Sequence, residues 1–183
     1  MDGKEKSLEI KIRRKIFNFI SKHPGIHERE ISRKLKIPLS TLDYHLIYLL
    51  KRELIVGKSD GHYKEYYVQG KLSVRDQQVF SVLRRKVTRR IILLILQNES
   101  INHGDIGKDL GLAASTISFH LTKLVELEIV DSFKKGKESW FFIKDPDYVS
   151  DLVIRNKKSF YDDAVDRFVD TWVDLHPKHL HKK

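Results

Sequence analysis

Two stretches of the chain carry the same alternation of apolar and polar positions. In the first, Ile12, Ile16, Phe19 and Ile20 recur three or four residues apart, which places them on one face of a helix. His23-Pro24-Gly25 ends that helix, because proline cannot extend it and glycine tolerates the turn beyond. Ile31 and Leu35 mark a short second helix beginning near His27 or Glu28, and Lys36-Ile37-Pro38 reads as a turn. Leu42, Leu46, Leu49 and Leu50 then form the apolar stripe of a third helix. Ser40 is placed to cap it, since a serine hydroxyl can accept an otherwise unpaired backbone N–H. Residues 54–58 and 63–68 predict two strands, the latter rich in bulky β-formers. Ser59-Asp60-Gly61-His62 joins them, and Asp-Gly is a strong hairpin signal.

A shift of 75 positions lays this pattern on a second copy. Ser40-Thr41-Leu42-Asp43-Tyr44-His45-Leu46 falls on Ser115-Thr116-Ile117-Ser118-Phe119-His120-Leu121. Ile26, Ile31, Leu35, Leu49 and Glu53 meet Ile101, Ile106, Leu110, Leu124 and Glu128, without a gap across residues 14–68. The second copy therefore predicts a lead-in helix near 74–85, helices near 88–97 and 104–110, and a third helix capped by Ser115. Its strands are 129–133 and 140–143. The expected organisation is one unit over residues 1–70, a second over 71–145, and a helical extension over 146–183.

Three helices followed by a β-hairpin make a winged helix-turn-helix, so the fold class is mainly α with small β-hairpin wings, in tandem. The short helix, turn and third helix form the helix-turn-helix, whose last helix can enter a major groove about 12 Å wide. With the leucine stripe turned inward, the free face of that helix carries Thr41, Asp43, Tyr44, Tyr48 and Lys51 in the first copy. In the second it carries Thr116, Ser118, Phe119, Thr122 and Lys123. Hydroxyls can bond phosphates or bases, lysines neutralise phosphates, and aromatic rings meet thymine methyls or pack beneath the wing. The hairpin tips offer Lys58, His62 and Lys64 in one copy and Lys134, Lys135 and Lys137 in the other, for backbone or minor groove.

Charge supports a polyanionic partner and narrows the alternatives. The chain of 183 residues has a formal net charge of +10. Asp43 is repulsive near phosphates, and Ser118 occupies its place in the second copy, which favours the second copy as reader. The charge balance points the other way, with an excess of six positive charges over residues 1–70 and four over 71–145. There is no cysteine, which excludes thiolate metal sites, disulfides and a cysteine nucleophile. No phosphate-binding loop, dinucleotide glycine motif, nucleophile elbow or clustered metal ligands occur, so neither catalysis nor a cofactor or metal is expected. His45 and His120 read as partly buried hydrogen-bonding side chains, and His176, His179 and His181 as part of a basic tail. The longest greasy run, residues 91–96, is too short for a membrane span, and the polar start is no signal peptide. The expected location is the cytoplasm, at the nucleoid.

The segment from Ser115 to Leu121, with Leu124 and Glu128-Ile129-Val130, resembles the recognition helix and strand entry of prokaryotic winged-helix regulators of the ArsR and MarR type. Residues 40–56 carry the same pattern. Two such units in one chain look most like archaeal tandem winged-helix transcriptional regulators. The resemblance covers residues 14–143. It implies that Ser40, Thr41 and Tyr44, and Ser115, Thr116 and Phe119, face double-stranded DNA, with the transcription machinery as a further partner. The lack of cysteine departs from the thiolate metal sensors of that type. Two units in one chain imitate a dimer, or dimerise to present four.

The extension predicts helices over 147–154 and 159–175. In the longer one Tyr161, Val165, Phe168, Trp172 and Leu175 form an apolar stripe opposite Asp162, Asp163, Asp166 and Asp170. Residues 146–183 are electrically balanced, which argues for packing rather than DNA contact. So wide a stripe covers its own second domain or pairs with a second chain, and the homodimer is the favoured expectation. A protein-interaction adaptor or an RNA-binding module is the alternative function.

Overall fold

A computed structural model describes residues 3–60, 63–160 and 162–175. The chain divides into two compact units, Met1–Ser81 and Val82–Lys183. The division falls inside a helix, whereas the repeat places its own join near residue 70.

The first unit runs α1 (Gly3–Lys22), β1 (Ile26–His27), α2 (Glu28–Leu35), α3 (Leu39–Lys51), β2 (Ile55–Asp60) and β3 (Tyr63–Val68), then enters α4 (Val74–Arg84). Its sheet has the order β1-β3-β2 and is antiparallel throughout. The apolar spacing read in the sequence is the core: Ile16, Ile20, Ile31, Leu42, Leu46 and Leu49 are buried, with Ile26, Ile55 and Tyr66 from the sheet. Glu65 is buried as well, and it accepts hydrogen bonds from the Tyr67 hydroxyl at 2.8 Å and the Ser81 hydroxyl at 2.9 Å. Those bonds satisfy a carboxylate that would otherwise be costly inside a sheet.

The second unit repeats this order with α5 (Lys86–Asn98), β4 (Ser100–Asn102), α6 (His103–Leu110), α7 (Ala114–Glu126), β5 (Val130–Lys135) and β6 (Glu138–Ile143). Its sheet has the order β4-β6-β5. The wing registers correspond: Ile55 pairs with Val68 in one sheet and Val130 with Ile143 in the other. In both units the residue linking the third helix to the first wing strand, Glu53 or Glu128, has φ of 54°. Three helices complete this unit: α8 (Pro146–Arg155), α9 (Lys157–Phe160) and α10 (Asp163–Leu175). The architecture is mainly helical with small antiparallel wings, two winged helix-turn-helix units in tandem and C-terminal helices.

Four expectations change. Ser40 and Ser115 are not caps, because the helices begin one residue earlier, at Leu39 and Ala114, with Pro38 and Ala113 at the cap positions and no side-chain cap bond. The short strands β1 and β4 were not read from the sequence. The helix expected over 159–175 is interrupted at Asp162, whose carboxylate accepts from the Ala164 N–H at 3.0 Å and from the Arg89 guanidinium. Finally, Val165, Phe168 and Trp172 are buried within their own unit, and α10 packs on α5. Of the two partners weighed for that stripe, the chain's own second domain covers it, so these three residues are not a free dimer face. Tyr161, His62, the side chain of Leu175 and the histidines of the tail lie outside the described residues.

Arg89 and Asp162 form a buried ion pair in the second unit. Their side chains are 6% and 10% exposed. Arg89 also donates to the Leu83 carbonyl at 2.6 Å. Burial alone would raise the Asp162 carboxyl, but hydrogen bonds from Arg89 and the Ala164 N–H, with the charges of Arg89 and Lys86, hold it below the usual carboxylate range.

Candidate nucleic-acid interface

The third helix of each unit positions the candidate residues. In α7, Ile117, Leu121 and Leu124 are buried, which turns the opposite face outward. Ser115, Ser118, Phe119 and Thr122 are exposed there, while Thr116 and Lys123 are half-buried. Phe119 is 65% exposed, unusual for a ring of its size, and it meets His120 edge-on at 5.3 Å. The Ser118 hydroxyl lies 2.9 Å from His103 Nε2, which ties the first residue of α6 to α7. His120 points inward, its Nδ1 3.0 Å from the Thr88 hydroxyl. Burial, then the charges of Arg85 and Lys123, lower its pKa, so it is neutral at pH 7.

In α3 the same positions meet a different environment. Ser40, Asp43, Tyr44 and Lys51 are exposed and Thr41 and Tyr48 half-buried. Ile47, which the sequence reading passed over, is 52% exposed beside them. The long helix α1 reaches this face. Arg13 stacks on the Tyr48 ring at 3.8 Å and reaches Tyr44 at 5.9 Å, and Arg52 flanks Tyr48 at 5.5 Å. Glu9 pairs with Arg13 at 2.6 Å and accepts a long bond of 3.4 Å from the Tyr44 hydroxyl. His45 is buried, its Nδ1 has no hydrogen-bond partner among the described residues, and its pKa is lowered by burial and by Arg13 against a smaller opposing pull from Glu9. At the base of α3 the buried Tyr66 phenol is pushed up to about 12 by burial, by the charges of Glu28 and Asp43, and by its hydrogen bond with Glu28.

Glu28 and Tyr66 were missed by sequence reasoning, as was His103. The offset of 75 was the signal for them: it aligns Glu28 with His103 and Tyr66 with Phe141, just as it aligns Asp43 with Ser118. Caps differ too. Asn102 caps α6 by accepting the Asp105 N–H at 2.9 Å, whereas His27 before α2 makes no such bond.

The wings bring lysines to exposed strands. Lys134, Lys135 and Lys137 surround a two-residue connection whose Gly136 has φ of 63°, the positive value that tight hairpin loops require. Lys134 donates to the Ser139 hydroxyl at 2.8 Å, and the Lys135 ammonium lies 4.9 Å above the Trp140 ring. In the first unit Lys58 is exposed, and Lys64 lies across Gly57, its ammonium 5.8 Å from the Tyr66 ring. No group of three or more side chains able to hold a metal ion occurs among the described residues. No helix there is long and apolar enough to cross a membrane.

Comparison with known proteins divides the chain along the same lines. An N-terminal HTH domain family matches residues 10–80, and the family of bacterial regulatory proteins of the arsR type matches residues 86–132. An uncharacterized HTH-type transcriptional regulator of Methanocaldococcus jannaschii is 35% identical over 141 residues, which is 77% of this chain. The chain spans 35% of that relative's length. Among solved structures, reduced HlyU from Vibrio cholerae is 15% identical, with a TM-score of 0.38 over 56% of this chain and 88% of that one. An ArsR family transcriptional regulator is 17% identical, with a TM-score of 0.36 over 48% and 90%. Two helix-turn-helix families matched in series, and the likeness to an archaeal HTH-type relative, agree with the duplicated architecture: the chain carries two winged helix-turn-helix domains in tandem, the second similar to the arsR type.

Proposed function

We propose that the chain binds double-stranded DNA sequence-specifically and regulates transcription by blocking or recruiting the transcription machinery, in the cytoplasm and at the nucleoid. The observation that carries the reading is the outer face of α7. A helix whose leucine side is buried presents Ser115, Thr116, Ser118, Phe119, Thr122 and Lys123 outward, including a largely solvent-exposed phenylalanine. A solvated structural surface gains nothing from such a ring. A major groove offers it thymine methyls, while the hydroxyls and Lys123 take base edges and phosphates. Lys134, Lys135 and Lys137 on the wing follow the sugar-phosphate backbone or enter the minor groove. In the first unit α3, with Ser40, Thr41, Asp43, Tyr44, Tyr48 and Lys51, and Lys58 and Lys64 on its wing, act as the weaker reader. The α10 stripe has no dimerising role in this scheme, since Val165, Phe168 and Trp172 are occupied internally.

The test selects preferred sequences from a random duplex pool with purified protein, then titrates the winner against salt. Affinity falls as salt rises, and alanine at Lys134, Lys135 and Lys137 reduces the slope by about 0.9 for each phosphate left without its lysine. Binding that ignores salt and sequence overturns the reading. Equal or tighter binding to RNA redirects it to an RNA-binding module, and protein capture that survives alanine at Thr116, Phe119 and Lys123 redirects it to an adaptor.

A further inference from the structure

A cavity of about 300 Å³ opens in the second unit between α5, the end of β6, the start of α8, and α10. Ile95, Leu96, Ile143 and Trp172 form its buried apolar floor, and Glu99, Pro146 and Asp147 are exposed around its mouth. That volume stands at the lower end of small-molecule sites, which combine an apolar lining with a few polar groups that fix orientation. The cavity belongs to this unit alone, because α8 and α10 come from the extension and have no counterpart in the repeat.

The backbone at the mouth is unusual. Glu99 ends α5 with φ of 58° and ψ of −48°, a conformation that side-chain-bearing residues rarely adopt. The first unit avoids it: the matching residue is Pro24, and Gly25 beside it takes the positive φ, 73°. The second unit thus holds a carboxylate at the cavity rim on a backbone close to the γ-turn of positive φ, a rare and strained conformation. Asp147, on the first turn of α8, adds a second carboxylate, and no basic side chain lines the cavity among the described residues.

We propose that this cavity binds a small organic cation, an aryl- or alkylamine whose apolar body lies on Ile95, Leu96, Ile143 and Trp172. Its ammonium faces Glu99 and Asp147. An organic anion of the same shape is repelled at the mouth, and a neutral one forgoes the charge-assisted hydrogen bonds. The Trp172 ring supplies an apolar wall and a π-face that favours a cation. The inference does not depend on DNA binding.

The test uses the full chain carrying Trp140→Phe, so that Trp172 is the remaining indole of the two. Tryptophan fluorescence is followed during titration with 2-phenylethylamine, 2-phenylethanol and 3-phenylpropanoate. The amine gives a saturable change, the alcohol binds about tenfold or more weakly, and the acid does not bind. Glu99→Gln with Asp147→Asn weakens the amine by about tenfold and leaves the alcohol unchanged. No saturable response to millimolar amine, equal affinity for amine and alcohol, or amine binding untouched by the double substitution overturns the proposal. Should the double variant fail to fold by circular dichroism, the amine-to-alcohol ratio in the Trp140→Phe protein decides alone.

Discussion

The two units share helices, strands and registers at a constant offset, yet their helix-turn-helix elbows have opposite chemistry. In the first, Glu28 and Asp43 set two carboxylates around the buried Tyr66 phenol. In the second, His103 and Ser118 stand at the corresponding positions and bond to one another. The helix before the elbow differs as well. In the first unit α1 is continuous through residues 3–22 and lays Glu9 and Arg13 over the rings of α3. In the second the chain breaks at Arg85 between α4 and α5, and Arg84 turns to Ser159 instead. Duplication preserved the scaffold while the groups that would meet phosphates diverged. Under the proposed function the difference favours the second unit as the stronger DNA reader, although the first carries the larger positive excess.

The contrast between the units can be broken most sharply through stability. Asp162→Ala strands the buried Arg89 guanidinium, and the second unit loses about 3–5 kcal/mol. Both tryptophans, Trp140 and Trp172, belong to that unit, so denaturant titration followed by their fluorescence reads it selectively. The matching Arg14 is exposed, and Arg14→Ala shifts the first unit by only about 0.5 kcal/mol, measured by circular dichroism. Comparable losses from the two changes would mean that the units are held alike.

On duplex affinity, alanine at Thr116, Phe119 and Lys123 together lowers binding by about 100-fold, from roughly 1–3 kcal/mol for each base-directed interaction. Alanine at Thr41, Tyr44 and Lys51 lowers it less than about tenfold on the same scale. Fluorescence anisotropy on one labelled duplex compares the two, and a reversed order removes the assignment of the second unit as reader. A single exchange sharpens the point: Ser118→Asp weakens binding by about tenfold, and Asp43→Ser strengthens it by a few-fold, as expected for one carboxylate beside phosphates.

The smallest effect is a pH dependence common to both units. His45 and His120 have folded pKa values below the ordinary 6.5. The unfolded chain therefore binds protons more readily, so stability is full above pH 6.5 and declines as pH falls through 6.5 toward the lowered values. Denaturant midpoints measured on either side of pH 6.5 check the sign. His120→Gln removes the second unit's share and His45→Gln the first's. A rise in stability on acidification would contradict the burial argument.

Much of the fold was legible because it rests on periodicity and punctuation. The stripes of α3 and α7, the turns before them and the Asp-Gly and Gly136 hairpins are local signals. The strands β1 and β4 were not legible, since two or three residues carry no alternation and exist only by pairing with β3 and β6. The interruption at Asp162 carries one local mark, an aspartate that accepts the Ala164 N–H at the start of α10, but its ion pair with an arginine 73 residues away leaves none. An amphipathic stripe also announces that it must be covered without naming the cover, so α10 read in favour of a dimer face. For the candidate interface, the exposed residues followed from helical spacing. The grip of α1 on Tyr44 and Tyr48 did not, because cation-π pairing between helices leaves no mark on the spacing of either one.

The constant offset has a practical consequence. Elements α2 and α3 map onto α6 and α7 residue for residue, the wing registers coincide, and Glu53 and Glu128 turn the backbone through the same left-handed step. The span from elbow to wing is therefore an interchangeable cassette, bounded by identical splice points. Residues 28–68 and 103–143 can be transplanted into one another's place without inserting or deleting a bond, and the resulting chimeras would carry a specificity chosen by the donor.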